Sequence, residues 1–307
     1  RPPTWDKMLA ILLFWASKGV DAFRCDMAEM VPVEFWQWAI ARVKGLYPDL
    51  LFIAEVYNPA LYREYVHHGG FDYLYDKVGL YDTLRAVTRH ETSAQRLTGC
   101  WQQVDDIRAH MLRFLENHDE QRVASDFFAS DPRRGRAPLL VIAMMDASPM
   151  MIYFGQELGE KGMDAEGYSG RDGRTTIYDY WTLDTIRRWR NGGKYDCGLL
   201  TGDEQRLRAF YKRVLTLRET MPALRSGRFY DLMYANPHLH RQYAFVRSLG
   251  HEVVVVIANF DDQEAQVTLS LPRELFDFLG MKGQANARAQ ELLSGDTTQV
   301  DFMATTP

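Results

Sequence analysis

The sequence predicts an α/β fold, a (β/α)8 barrel of the TIM type that is present only in part, followed by a small antiparallel β-sandwich domain. The first observation is three apolar, strand-like segments that each end in a carboxylate, at Asp26, Glu55 and Asp119. Parallel barrels place their active sites at the carboxyl ends of their strands. The second is a change near residue 226 to two-residue alternation, which is typical of antiparallel strands. We therefore predict a catalytic barrel portion at 1–225 and an all-β domain at 226–307.

The composition is that of a globular chain with a large core. It has 307 residues, of which 46% are hydrophobic, and a mild net charge of −5. No basic run indicates nucleic-acid binding, and no apolar stretch approaches the roughly 20 residues of a membrane span. The cysteines Cys25, Cys100 and Cys197 have neither disulfide-framework nor metal-ligand spacing. Free thiols weakly favour the cytoplasm. The chain does not begin like a natural start, however, so we expect its original N-terminus to be missing and leave localisation open.

The first predicted barrel unit is a helix followed by a strand. An apolar stripe from Trp5 to Trp15 has helical spacing, with Thr4 as its predicted N-cap. In the strand that follows, Arg24 and Asp26 are two residues apart and therefore point to the same side. Cys25 points to the opposite side, where a small buried thiol is expected. Taken alone, the Arg24 and Asp26 pair fits a structural ion pair as well as it fits an active site.

Four more strand-and-helix units follow, where a closed barrel needs eight in all. The predicted strands end near Glu55, Asp76, Asp119 and Gln156. A polar link is expected around Gly99, between helices at 78–89 and 104–109. Further helices are expected at 35–43, 59–67 and 137–145, and a capping box at Thr201 and Glu204 begins one after 201. The long segment 158–202 is predicted to be a functional loop.

The most apolar run in the predicted β domain lies in its first half. Residues 253–257, a run of four valines and one isoleucine, are expected to form a central strand. Asp261 and Asp262 form a turn. Residues 265–271 alternate between apolar and polar side chains and predict a half-buried strand.

The three acid-bearing segments resemble, in order and spacing, three signature regions of the α-amylase family of glycoside hydrolases. Glu55 follows Asp26 by 29 positions and Asp119 follows Glu55 by 64, which leaves room for a helix and loops. The resemblance implies that the chain holds barrel strands four to eight and a C-terminal β domain. It also implies that strands one to three are absent, together with the insert that often carries calcium. We therefore identify no cofactor or metal ligand in this sequence, and calcium stays possible only through that absent region.

The resemblance further implies a retaining α-glycoside hydrolase that acts on α-1,4-linked glucans or maltooligosaccharides. Such enzymes use two carboxyl groups about 5 Å apart and an oxocarbenium-like transition state. By resemblance, Asp26 is the nucleophile that forms a covalent glycosyl-enzyme, and Glu55 is the general acid and then the base. Asp119 matches the third acid, which holds sugar hydroxyls and stabilises the transition state.

Five further residues are expected to bind or orient the substrate. Arg24 matches the arginine that keeps Asp26 ionised, His118 matches a histidine that donates to the sugar, and Asn117 is expected to orient its neighbours. Tyr57 suits stacking on a sugar face. Tyr153, Tyr178, Tyr180 and Trp181 suit it too, although each of these aromatic residues also suits packing. Glu29 lies where many starch-degrading members carry a Lys-His pair, and it can instead hydrogen-bond sugar hydroxyls.

Other readings stay open beside α-glucan hydrolysis. Transglycosidases and α-glucosyl isomerases share the covalent intermediate, so the sequence does not separate them from hydrolases. A non-catalytic carbohydrate-binding relative and an inert fragment are two further alternatives. An α-glucan or oligosaccharide is the expected partner in the catalytic and binding readings, and the sequence predicts no oligomeric state.

Overall fold

The computed structural model describes residues 2–165, 170–175, 177–178 and 181–305. These residues separate into two compact units, and each is described by itself. The first unit comprises Arg1–Asp82 and Cys100–Phe114, and the second comprises Thr83–Gly99 and Leu115–Pro307. The predicted boundary between residues 225 and 226 is a different division of the chain, and it stays a prediction.

Until the last quarter of the chain, each strand is separated from the next by one or more helices. The strands are β1 (Ala22–Cys25), β2 (Leu51–Ala54), β3 (Tyr73–Tyr75), β4 (Met111–Phe114), β5 (Met150–Met151), β6 (Arg228–Asp231), β7 (Gln242–Leu249), β8 (Glu252–Asn259), β9 (Gln284–Gln290) and β10 (Thr297–Phe302). The helices are α1 (Pro3–Ala16), α2 (Val33–Leu46), α3 (Tyr62–His67), α4 (Asp82–Thr88), α5 (Arg96–Gln103), α6 (Arg136–Met144), α7 (Asp184–Arg190), α8 (Gly202–Thr220), α9 (Pro222–Ser226) and α10 (Arg273–Leu279).

Strands β1 to β4 form a parallel sheet in chain order within the first unit. The register pairs Cys25 with Ala54, so the next residues along the two strands, Asp26 and Glu55, emerge side by side. The predicted fold class, part of a parallel (β/α) barrel, is confirmed by this alternation. Because the sheet is parallel, every strand presents its carboxyl end at the same edge.

Helix α1 covers the first unit less completely than its apolar stripe predicts. Trp5 packs edge-on against Phe35 with ring centroids 5.4 Å apart, whereas Met8 and Trp15 are 42% and 51% exposed. The predicted N-cap at Thr4 is wrong. The N-cap is Pro2 and the helix begins at Pro3, two residues earlier than an N-cap at Thr4 predicts, because proline is suited to the first helical position, where no backbone donor is needed.

Two predicted irregular segments contain helices instead. Gly99 lies inside α5, so the polar link expected there is wrong. The predicted loop 158–202 contains α7. Tyr180, which lies in this segment and is one of the aromatic residues suited to stacking on a sugar, lies outside the described residues. Both helices are only seven or eight residues long, and such short segments depend on tertiary packing more than on intrinsic propensity.

Two small antiparallel sheets occupy the C-terminal part of the second unit. The order β6-β7-β8 makes β7 the central strand and β8 an edge strand, so the prediction of a central strand at 253–257 is wrong. β7 is buried along almost its whole length, while burial alternates along β8. The strand expected at 265–271 does not form, since these residues have no strand partner among the described residues. β9 and β10 form the second sheet.

Among the described residues, no helix combines the length and the apolar character that crossing a membrane requires. The longest helix, α8, has a mean hydropathy below zero and begins with the predicted capping box. The Thr201 hydroxyl accepts from the Glu204 amide, and the Glu204 carboxylate accepts from the Thr201 amide at 2.7 Å.

Replacing Thr201 by alanine removes one half of this box. We expect the free energy of unfolding to fall by about 1 kcal/mol in urea titrations, because one amide at the helix start loses its partner. Thr201→Ser keeps the hydroxyl and serves as the matched control. Equal loss in both variants would show that the hydroxyl is not what stabilises the helix.

Candidate active site

The carboxyl ends of β1 and β2 bring two acids onto one guanidinium. Arg24 Nη1 donates to Asp26 Oδ1 at 2.5 Å, and Arg24 Nη2 lies 3.1 Å from Glu55 Oε1. The second contact is an ion pair without hydrogen-bond alignment. The Asp26 side chain is 71% exposed, whereas that of Glu55 is 7% exposed. One acid is thus open to solvent while the other is held inside the fold.

Tyr75, on β3, holds Arg24 from the third strand. The Arg24 Nε donates to the Tyr75 hydroxyl at 3.3 Å, and the guanidinium carbon lies 5.4 Å from the ring centroid. Burial alone would lower the pKa of Arg24, but its hydrogen bonds to Tyr75 and Asp26 outweigh burial and raise the pKa. Arg24 is therefore a fixed positive charge at all ordinary pH values. On the other side of β1, burial raises the pKa of the Cys25 thiol to about 12, so it stays protonated.

Glu55 is hydrogen-bonded from two directions besides its contact with Arg24. The Tyr57 hydroxyl donates to Glu55 Oε1 at 2.8 Å, and the Met27 backbone amide donates to Oε2 at 2.8 Å. Met27 has a φ of 42° and a ψ of 44°. This left-handed conformation is uncommon for a non-glycine residue and turns the chain directly after Asp26. The position of Glu55 is therefore fixed by both loops.

Glu29 makes the converse contact from the first loop to the second. Its Oε2 accepts from the backbone amides of Tyr57 at 3.2 Å and Asn58 at 2.9 Å. We call the contacts of Glu55 with Met27 and of Glu29 with Tyr57 and Asn58 the loop clasp. The structure thus brings five of the predicted site residues together, namely Arg24, Asp26, Glu29, Glu55 and Tyr57. Two acids that act on one bond must lie close to each other, and Asp26 and Glu55 contact the same guanidinium.

The second unit holds the other three predicted site residues. The His118 Nε2 lies 3.1 Å from Asp119 Oδ2, and the Asp119 side chain is 53% exposed. Asn117 is 1% exposed, and its Oδ1 accepts from the backbone amides of Asp119 and Glu120, each at 2.8 Å. Asn117 therefore shapes the turn that presents Asp119. Arg174 Nε donates to the Asp119 carbonyl oxygen at 2.7 Å.

A buried ion pair closes the base of this turn. Arg122 Nη1 donates to Glu116 Oε2 at 2.7 Å, and the two side chains are 0% and 2% exposed. The Val123 amide donates to Glu116 Oε1 at 2.8 Å. The Arg122 guanidinium lies 4.4 Å from the ring centroid of Tyr153 and 4.8 Å from that of Phe154. The segment 116–122 is therefore fixed at both ends.

Sequence reasoning did not select Tyr75, Glu116 or Arg122. Tyr75 is an ordinary strand aromatic in sequence, and only the strand order shows that it lies beside Arg24. The Glu116 and Arg122 pair had one signal, two opposite charges six positions apart that flank a predicted site. That spacing has no regular meaning in a loop, so the pair is visible only in the structure.

No cluster of three or more His, Cys, Asp or Glu side chains suited to a metal ion occurs in the described parts of the chain. This finding concerns clusters of those four side-chain types only, and the expectation about calcium stays a prediction. We assign no step of the chemistry to a metal.

The first 189 residues match the family model described as the α-amylase catalytic domain. Among curated proteins, the chain is 28% identical over 301 residues to α-1,4-glucan:maltose-1-phosphate maltosyltransferase 1 of Streptomyces coelicolor, covering 94% of this chain and 38% of that protein. It is 23% identical to neopullulanase 2 of Thermoactinomyces vulgaris, covering 89% of this chain and 42% of that protein. The chain thus spans about two fifths of the length of these relatives.

Solved structures support the same fold. An α-amylase from Geobacillus thermoleovorans, complexed with acarbose, matches 99% of this chain and 61% of that chain, with a TM-score of 0.71 and 20% identity. A cyclomaltodextrinase structure matches 98% of this chain and 47% of that chain, with a TM-score of 0.70 and 21% identity. At these identities the likeness shows the fold alone.

The buried Glu116 predicts a pH-dependent contribution to stability. Burial raises the pKa of this carboxyl above its ordinary value of 4.5, and this outweighs the opposing effect of Arg122. The folded state therefore binds the proton more tightly than the unfolded state. The resulting contribution is fully present below pH 4.5 and is lost as the pH rises through the folded-state pKa.

Glu116→Gln mimics the protonated side chain and does not titrate. We expect the free energy of unfolding of the wild type, relative to this variant, to fall as the pH rises from about 4.5 towards 8. Urea unfolding at several pH values measures this difference, with Glu120→Gln in the same turn as the control. A difference that stays constant or grows with pH would contradict the prediction.

Proposed function

Because this chain belongs to the α-amylase family, we propose that it carries the site of a retaining α-glycosidase acting on α-1,4-linked glucans or maltooligosaccharides. The observation that carries the proposal is the Arg24 guanidinium lying between Asp26 and Glu55. Retaining enzymes need two carboxyl groups about 5–5.5 Å apart, and a single guanidinium in contact with both favours such closeness.

In the proposed first step, an Asp26 carboxylate oxygen attacks the anomeric carbon. The bond from that carbon to the glycosidic oxygen breaks, and the Glu55 proton passes to the leaving oxygen. In the second step, the Glu55 carboxylate takes a proton from water or from an acceptor hydroxyl. The oxygen of this water or acceptor hydroxyl attacks the anomeric carbon, and the bond from that carbon to Asp26 breaks. The exposure of Asp26 and the burial of Glu55 suit an accessible nucleophile and a positioned acid.

Asp119 and His118 are proposed to bind the sugar at the cleavage point. The buried Asn117 side chain sets the turn that carries both, so their positions do not depend on the substrate. Carboxylate and imidazole groups held in this way can strengthen their hydrogen bonds to sugar hydroxyls as positive charge develops in the ring. Asn117 itself is proposed as an orienting residue.

Transglycosylation is the second candidate, and the names of the relatives favour it. Several curated relatives are maltosyltransferases that use maltose 1-phosphate, whereas another is a neopullulanase. The covalent intermediate is common to both outcomes, which differ only in whether water or a sugar hydroxyl attacks it. An α-glucosyl isomerase is a third outcome of the same intermediate, with the released sugar re-bound in another orientation.

Asp26→Asn tests the nucleophile. We expect turnover of maltooligosaccharides to fall to background while glucan binding, measured by calorimetry, is retained, because an amide oxygen is a poor nucleophile. Asp21→Asn, immediately before the same strand and exposed, is the matched control and should retain activity. Activity retained in Asp26→Asn would exclude the proposed intermediate. Binding without turnover in the wild type would instead favour the non-catalytic alternative, and neither binding nor turnover would favour an inert fragment.

The product pattern separates hydrolysis from transfer. We expect proton NMR in the first minutes of reaction with maltoheptaose to show shorter sugars released as the α-anomer, because two inversions retain configuration. Longer products that increase when maltose 1-phosphate or maltose is added would assign transfer, and a rearranged disaccharide would assign isomerisation. Initial release of the β-anomer would contradict a retaining mechanism.

A further inference from the structure

We propose that Glu29 is a positioning residue for Glu55, and that it acts by fixing the loop that carries Tyr57. The inference rests on the proposed function, since it assigns Glu55 the role of acid and base. It differs from the sequence-based expectation, in which Glu29 binds sugar hydroxyls directly.

The loop clasp is reciprocal. Glu55, at the end of β2, accepts from the Met27 amide in the loop after β1. Glu29, in that same loop, accepts from the Tyr57 and Asn58 amides in the loop after β2. Each acidic side chain thus satisfies backbone donors of the other loop. Neither loop can shift without losing these hydrogen bonds.

Further contacts hold Glu29 in place. The Ala28 amide donates to the Glu55 carbonyl oxygen at 3.1 Å, and the Ala28 carbonyl oxygen accepts from Trp36 Nε1 at 3.0 Å. Ala28 is fully buried. Glu29 is therefore directly preceded by a residue that is fixed in the core, and the packing of that residue sets the direction in which the chain continues.

The consequence for the site comes through Tyr57. Because Glu29 holds the Tyr57 amide, the tyrosine side chain leaves the backbone in the direction that brings its hydroxyl to Glu55 Oε1 at 2.8 Å. The Lys77 ammonium lies 5.8 Å from the Tyr57 ring centroid. The ring is thus held from its backbone end by Glu29 and contacted on its face by a cation. Loss of Glu29 releases the backbone end.

A direct sugar contact by Glu29 predicts a different kinetic result. Loss of a side chain that only binds the substrate weakens binding equally in the ground and transition states, so KM rises while kcat is unchanged. Loss of a side chain that positions the acid lowers kcat, because a displacement of about 1 Å can cost on the order of 10²-fold in rate.

The test compares Glu29→Ala, Glu29→Gln and the control Glu34→Ala, an exposed acid five residues later. We expect Glu29→Ala to lower kcat by about 10²-fold with little change in KM. Glu29→Gln should restore most of the rate, since its amide oxygen accepts from the same two amides. Tyr57→Phe should lower kcat too, and its effect should not add to that of Glu29→Ala, because both act through one contact.

Amide hydrogen exchange gives a readout that does not depend on activity. We expect the Tyr57 and Asn58 amides to exchange about 10- to 100-fold faster in Glu29→Ala, which is the loss of a hydrogen bond to a charged group, and to stay protected in Glu29→Gln. Unchanged exchange, or a rise in KM with unchanged kcat, would overturn the inference. If the wild type turns over no glucan, the proposed function fails, while the exchange rates still decide whether the clasp exists.

Discussion

The charge of Arg24 is the constraint on which the rest of the site depends. A partly buried guanidinium is costly unless charged and polar partners surround it, and here Asp26, Glu55 and Tyr75 supply them from three successive strands. Removing the guanidinium would leave the two neighbouring carboxyl groups without their common partner. The sheet order and the positions of both acids are therefore linked by one side chain.

The hydrogen bonding of the backbone amides at the strand ends is the second feature that fixes the site. Parallel strands end in loops whose amides have no ladder partner, and such donors need acceptors when they are enclosed. In the loop clasp these acceptors are acidic side chains of the opposite loop. The requirement to satisfy the backbone thus also fixes the acid that is proposed to take part in the reaction.

The turn bearing His118 and Asp119 is held by a different device. Its buried pair, Glu116 and Arg122, has a desolvation cost that burial of apolar residues would avoid. The pair instead fixes a loop in which the Asn117 side chain replaces regular secondary structure as the partner of two amides. Polar contacts therefore define the geometry of this segment.

The sequence by itself predicted the strand-and-helix alternation, because this follows from local periodicity, and it predicted the three acids from the resemblance and order of the segments that carry them. It placed the ends of two strands too late, since β4 ends at Phe114 and β5 at Met151, each five residues before the expected Asp119 and Gln156. It did not determine that Glu29 faces backbone amides, that Tyr75 contacts Arg24 and Arg122 contacts Glu116, or that β7 is central and β8 an edge strand. These features depend on which segments become neighbours in space. A side chain's partner across 28 residues is set by sheet register, which no short pattern encodes.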